Sequence, residues 1–260
     1  MTQLTPPPAP RLDIAAHPRT PLGRLVRLEL RKMVDTRAGR ALPLAIALIS
    51  TLSVIILGVA GDESDQRFDT FAAFTLVPQG FLLPVLGILL VTQEWSQRTA
   101  IVTFSQEPHR RRVVEAKVLA ALVLGAAALL FALALAVTAT LLFAPEGGFA
   151  EVTAADFAEL AFIHVSSLLQ GIAFGMVFLA SAPAIVTFFV IPLMSGVVQS
   201  VWAVPQDRIA WFELATAQAA AFEPGALEGT QWAQLLLTTC LWVGLPFLIG
   251  LTRLLRAEIK

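Results

Sequence analysis

The sequence predicts an all-α integral membrane protein that crosses the bilayer six times. Three observations carry that reading: composition, apolar runs and the placement of charge. The chain has 260 residues, is 57% hydrophobic and 14% charged, and has a mean hydropathy of +0.75. Soluble domains carry about a quarter charged residues, and a soluble core of this length could not hide so much apolar surface. Apolar runs lie near 41–60, 73–92, 118–143, 160–181, 183–203 and 233–252. At about 1.5 Å per residue, some 20 residues cross roughly 30 Å of hydrocarbon. No Asp, Glu, Lys or Arg falls in the centre of these runs, where such a residue costs about 2.5–3.5 kcal/mol. His164 in the fourth run is the ionisable exception.

Basic residues segregate sharply. Arg11, Arg19, Arg24, Arg27, Arg31, Lys32, Arg37 and Arg40 precede the first run. Arg98, Arg110, Arg111, Arg112 and Lys117 fall between runs 2 and 3, and Arg253, Arg256 and Lys260 follow run 6. Of the 18 basic residues only Arg67 and Arg208 lie elsewhere. Because Lys and Arg are retained in the cytoplasm, both termini are expected there. The opposite segments carry acids: Asp62, Glu63, Asp65 and Asp69, then Glu146, Glu151, Asp156 and Glu159, then Asp207, Glu213, Glu223 and Glu228. The whole-chain charge of −1 conceals this polarity.

Taken in order, residues 1–21 form a Pro-rich tail expected to be disordered and without the pattern of a signal peptide. Residues 22–38 read as an amphipathic interfacial helix, with Leu22, Val26, Leu30, Met33 and Val34 on one side and Arg24, Arg27 and Arg31 opposite. Its arginines suit anionic headgroups of membrane lipid, and Glu29 stands one turn from Lys32, close enough for a local ion pair. Residues 39–260 form the six-span domain.

The segment from Gln93 to Lys117 is longer than a simple connection requires. Ile101, Phe104 and Pro108 recur at helical spacing, which predicts a short cytoplasmic helix ending near Pro108 with an apolar stripe, followed at once by Arg110, Arg111 and Arg112. Spans 4 and 5 are separated only by about Ser181–Pro183, a tight hairpin. The connection from span 5 to span 6 is moderately apolar and broken by Pro224 and Gly225, which predicts short helices in or dipping into the outer leaflet.

Other chemistries lack residues. Cys240 is the single cysteine, so neither a disulfide framework nor a Cys/His metal site can be built. Ser195 and His164 on different spans do not make a serine hydrolase. So few basic residues beside a bilayer are a poor nucleic-acid surface. Gly171 and Gly175 have small-xxx-small spacing for close helix packing, mainly within one subunit. Pro84 and Gly87 in span 2, and Pro192, Ser195, Gly196 and Gln199 in span 5, are kink and polar features that could line a path or a dimer interface.

At these residues the chain resembles the permease subunits of type-2 ABC transporters, over nearly its whole length. Glu29 and Lys32 match the charged pair of the helix before span 1. Glu94, Arg98-Thr99, Pro108, Arg111 or Arg112, and Ala116-Lys117 follow the family's order between spans 2 and 3, with Arg98 where a Gly is usual. The ending LTRLLRAEIK is also similar. The resemblance implies a coupling helix gripped by a separate ATPase subunit, with Glu94, Arg98, Thr99, Ile101, Phe104, Pro108, Arg110, Arg111, Arg112 and Lys117 in the contact segment. It also implies a second permease copy, as homodimer or heterodimer. No G-x-x-x-x-G-K-[ST] loop occurs, so ATP and Mg are expected on the partner and no cofactor on this chain. The expectation is therefore a non-enzymatic permease subunit of an ATP-driven exporter in a bacterial inner membrane, with a hydrophobic or amphipathic cargo. A secondary transporter or a non-transporting scaffold is the alternative; the lack of an inverted repeat counts against the former.

Overall fold

The computed structural model describes residues 20–144, 146–150, 152–222 and 227–257. Residues 1–19 of the Pro-rich tail and the Pro224–Gly225 break lie outside these. Among the described residues there are helices and no strands. Helix α1 spans Leu22–Asp35, α2 Arg37–Ala60, α3 Phe68–Ser96, α4 Ala100–Gln106, α5 Arg110–Phe143, α6 Ala154–Phe178 and α7 Ser181–Trp202. Short helices α8 (Gln206–Ile209) and α9 (Leu214–Ala219) follow, then α10 (Gly229–Thr239), a π-helical turn at Cys240–Gly244, and α11 (Leu245–Arg256). Six segments are long and apolar enough to cross a membrane: α2, α3, α5, α6, α7, and α10 through α11.

The helices overrun the apolar runs at their polar ends. Helix α5 is 34 residues long, about 50 Å, so its first two turns extend past a hydrocarbon layer of about 30 Å. Those turns carry Arg110, Arg111, Arg112 and Lys117. The hairpin between spans 4 and 5 is tighter than expected: its turn is Leu179–Ala180, Leu179 has φ +52°, and Ser181–Pro183 open α7.

Helices α3 and α6 form the central pair and make the most extensive contact in the molecule. Glycine permits it. A Cβ on Gly171 would stand 2.1 Å from the Pro84 carbonyl oxygen, and one on Gly87 would stand 3.0 Å from the Leu168 carbonyl oxygen. The small-residue motif of span 4 thus packs on span 2 of the same subunit. Helices α2, α5 and α11 surround this pair, and α7 lies at the edge, with only Ala184 and Phe188 buried. Polar groups inside the bundle bond to backbone, as a bilayer interior demands: Ser50 donates to the Thr75 carbonyl, Gln79 to that of Ala128 and Thr92 to that of Ile88.

Candidate functional site

The C-terminal end of α3 and the arginine-rich start of α5 meet α1 and α4 around a four-residue ionic cluster. The apolar side of α1 directs Val26, Leu30 and Met33 into the main core, and this carries Glu29 inward with them, 4% exposed. The Lys32 ammonium lies 2.8 Å from Glu29 and 2.7 Å from Glu94 on the last turn of α3. The Lys117 ammonium lies 2.7 Å from the other Glu29 oxygen and 3.2 Å from the other Glu94 oxygen. Two carboxylates and two ammoniums therefore alternate around a closed ring. Lys117 also donates to the Leu90 carbonyl, and Thr103 of α4 donates to Glu94 at 2.9 Å.

Glu29, Glu94 and Lys117 are taken out of water and Lys32 only in part; burying charge is costly, and mutual pairing with extra hydrogen bonds is what makes it tolerable. Burial opposes the charge on Lys32, but the Glu29 and Glu94 carboxylates outweigh it and hold the ammonium above the usual lysine range. The local Glu29–Lys32 pair expected from spacing is thus half of a larger, tertiary arrangement.

Above this ring α4 lies with two distinct faces. Ala100 and Phe104 are buried; the Phe104 ring packs 6.3 Å from that of Trp95 and lies 5.1 Å beneath the Arg110 guanidinium. Ile101 and Val102 are 56% and 53% exposed, Val102 on the edge of a groove that α4 shares with α1 and the end of α3. The expected stripe of Ile101, Phe104 and Pro108 is therefore split: Phe104 is a core residue, and only Ile101 and Pro108 are outward. Glu94 and Lys117 are also buried, and Glu94 ties α4 to the ring through Thr103. Arg98, with φ +57°, makes the turn into α4 in the left-handed region that favours glycine. Its unusual side chain sits on an ordinary glycine-type backbone.

The rest of the basic run is structural as well as charged. The Arg110 guanidinium donates to the carbonyls of Leu254, Leu255 and Ala257, at 3.0, 3.2 and 2.7 Å, and so caps the end of α11. Glu107, buried, pairs with His109 and Arg112 at 2.9 and 3.4 Å, and Arg112 also donates to the Thr20 carbonyl. Thr99 and Arg111 are exposed. On α1, Arg24, Arg27 and Arg31 are exposed, but Val34 is exposed beside them rather than grouped with the inward apolar residues. The roles of Thr103 and Glu107 are not visible in the sequence, because nothing in local spacing says that either side chain meets a buried charge.

Of the proposed path residues, Pro84 and Gly87 are consumed by the α3–α6 contact. Pro192, Ser195 and Gln199 are half-buried on α7, and the Ser195 hydroxyl bonds to the Pro192 carbonyl. Pro192 does border an open cavity of about 540 Å³, lined by α3, α6, α7, α9 and the π-helical turn. Phe81, Phe188, Phe189, Phe222 and Trp242 supply its aromatic surface. His164, Ser167, Gln170, Gln218 and Glu213 supply its polar surface. His164 is buried and its Nε2 lies 3.0 Å from the Gly125 carbonyl oxygen. Comparison of the chain with protein-family models, and with curated proteins, finds no match.

Proposed function

We propose that the chain is the permease subunit of an ATP-driven exporter of the type-2 ABC class, powered by a separate ATPase that grips α4. The observation that carries this reading is the two-faced geometry of α4. It is a seven-residue helix anchored inward through Phe104 and the Thr103–Glu94 bond, yet it presents Ile101 and Val102 outward at the polar end of the bundle. An exposed apolar pair on a short, rigidly supported helix suits insertion into a partner's groove. In this reading the basic end is cytoplasmic, the membrane is a bacterial inner membrane, and two permease copies work with two ATPase subunits that bind ATP and Mg. Hydrolysis belongs to the partner, and the cargo is hydrophobic or amphipathic.

The test is the double substitution Ile101→Asp, Val102→Asp in the full chain, co-expressed with ABC-type ATPase subunits from the same organism and reconstituted in nanodiscs. The expected result is loss of ATPase co-purification and of permease-stimulated hydrolysis, with an unchanged melting temperature. Stimulation that survives both substitutions would overturn the proposal.

A further inference from the structure

The 540 Å³ cavity lies within the size range of small-molecule sites, about 300–1,000 Å³, and its chemistry is one-sided. Glu213, 6% exposed, borders it. Its carboxylate accepts from the Ala215 and Thr216 amides at 3.0 and 2.6 Å and from the Thr216 hydroxyl at 2.6 Å, yet it has no cationic partner among the described residues. No Lys or Arg lines the cavity. These three hydrogen bonds hold the negative charge in place without neutralising it, so a cation in the cavity would gain from it.

The remaining walls agree. Five aromatic rings face a cation better than an anion, because the face of each ring is the negative part of its quadrupole. Phe189 stacks on Phe81 at 6.3 Å and meets Phe188 edge-on at 5.1 Å. Trp242, the strongest cation-binding ring type, sits in the π-helical turn of span 6. Its indole N–H donates to the Phe212 carbonyl at 2.6 Å, which ties the ring to the residue before Glu213. π-helical turns recur at functional sites. Among the polar neighbours, His164 gives its Nε2 hydrogen to the Gly125 carbonyl, and Gln218 gives one Nε2 hydrogen to the Ser166 hydroxyl, which leaves its amide oxygen as an acceptor.

We infer that this cavity binds a lipophilic cation, an apolar body carrying an ammonium- or phosphonium-type charge, between the aromatic wall and Glu213. As cargo the cation rests on the exporter reading; as a ligand it does not.

The probe is tetraphenylphosphonium, with tetraphenylborate as an anion of nearly the same size and shape. Both are measured by equilibrium dialysis against the full chain in zwitterionic nanodiscs, with empty nanodiscs as the partition control. The expected result is saturable binding of one tetraphenylphosphonium per chain that tetraphenylborate does not displace. Glu213→Gln, which keeps an acceptor for the helix cap, should weaken it about tenfold, and Trp242→Leu roughly threefold to tenfold. Should Glu213→Gln fail to fold, Ala219→Phe blocks the cavity from an exposed position and should abolish binding. Equal displacement by the borate, no saturable binding, or binding unchanged in these variants would overturn the inference. No ATPase is present, so failure here leaves the α4 experiment standing, and failure there leaves this one intact.

Discussion

Replacing Lys117 by Met keeps the length and apolar stem of the side chain and removes one charge from the buried ring. Glu29 and Glu94, each 4% exposed, would then share the single ammonium of Lys32. The substitution removes the ion pairs at 2.7 and 3.2 Å and the hydrogen bond to the Leu90 carbonyl. Breaking a buried ionic pair by removing one partner costs about 3–5 kcal/mol, because the surviving charge is stranded. For a chain of this size about 1 kcal/mol moves a melting midpoint by about 2–4 °C, so the midpoint in detergent should fall by about 6–20 °C. The double variant Glu29→Gln, Lys117→Met removes one charge of each sign and leaves the Lys32–Glu94 pair at 2.7 Å. It should recover at least half of the loss, and the non-additivity measures the coupling. Fluorescence-detected size-exclusion after heating reads both. A Lys117→Met midpoint within about 2 °C of the parent, less than about 1 kcal/mol, or a double variant worse than the sum of its singles, would refute the closed ring.

Three further outcomes follow from the geometry. Arg98→Gly should be neutral to stabilising, by up to about 1.5 kcal/mol, because φ +57° costs a side chain about 1–2 kcal/mol while glycine loses about 0.5–1 kcal/mol through its freer unfolded chain; thermal melting decides it. Gly171→Ala should destabilise by about 1–3 kcal/mol or more, since the new Cβ would sit 2.1 Å from backbone oxygen of Pro84. The Lys32 ammonium is held above its ordinary 10.5, so its contribution is complete below that pH and is lost as pH rises through the higher folded value. Docking of α1, followed by cysteine accessibility at Leu28→Cys against a buried Met33→Cys control, should be constant from pH 7 to 10 and weaken only above.

What the sequence reveals depends on whether the determinant is local. Six spans are legible because hydrocarbon thickness sets a length and charge avoidance sets the edges. The helix before Pro108 is legible because proline and spacing are local signals. Which face of it turns inward is not, since Phe104 is drawn in by Trp95 and Arg110, partners chosen by the tertiary fold. Glu29–Lys32 is visible at three residues apart, but its closure by Glu94 and Lys117 spans 62 and 88 positions. Pro84 and Gly87 carry the composition of a path and the geometry of a packing contact; composition alone cannot separate them. The aromatic cavity is invisible for a further reason. It depends on α9 folding back against α6, where Gln218 meets Ser166, and on a π-helical turn that has no sequence mark of its own.

The ties of the basic segment divide the molecule mechanically. A load on α4 reaches α3 and α1 through the ionic ring, and α5 through Lys117. It reaches α11 through the three carbonyls capped by Arg110, and α6 through Arg253, which donates to the Val177 carbonyl. Ionic and multidentate contacts of this kind resist shear better than apolar packing, which lacks direction. Helix α7 has no such tie among the described residues; it rests on α6 and α3 through packing alone, with Ala184 and Phe188 as its buried contacts. Relative motion should therefore concentrate where α7 meets the rest of the bundle. That boundary is the wall of the aromatic cavity that holds Phe188, Phe189 and Pro192. A displacement of α4 transmitted through the tied helices would change the cavity at its α7 wall first, although α4 contributes no residue to the cavity.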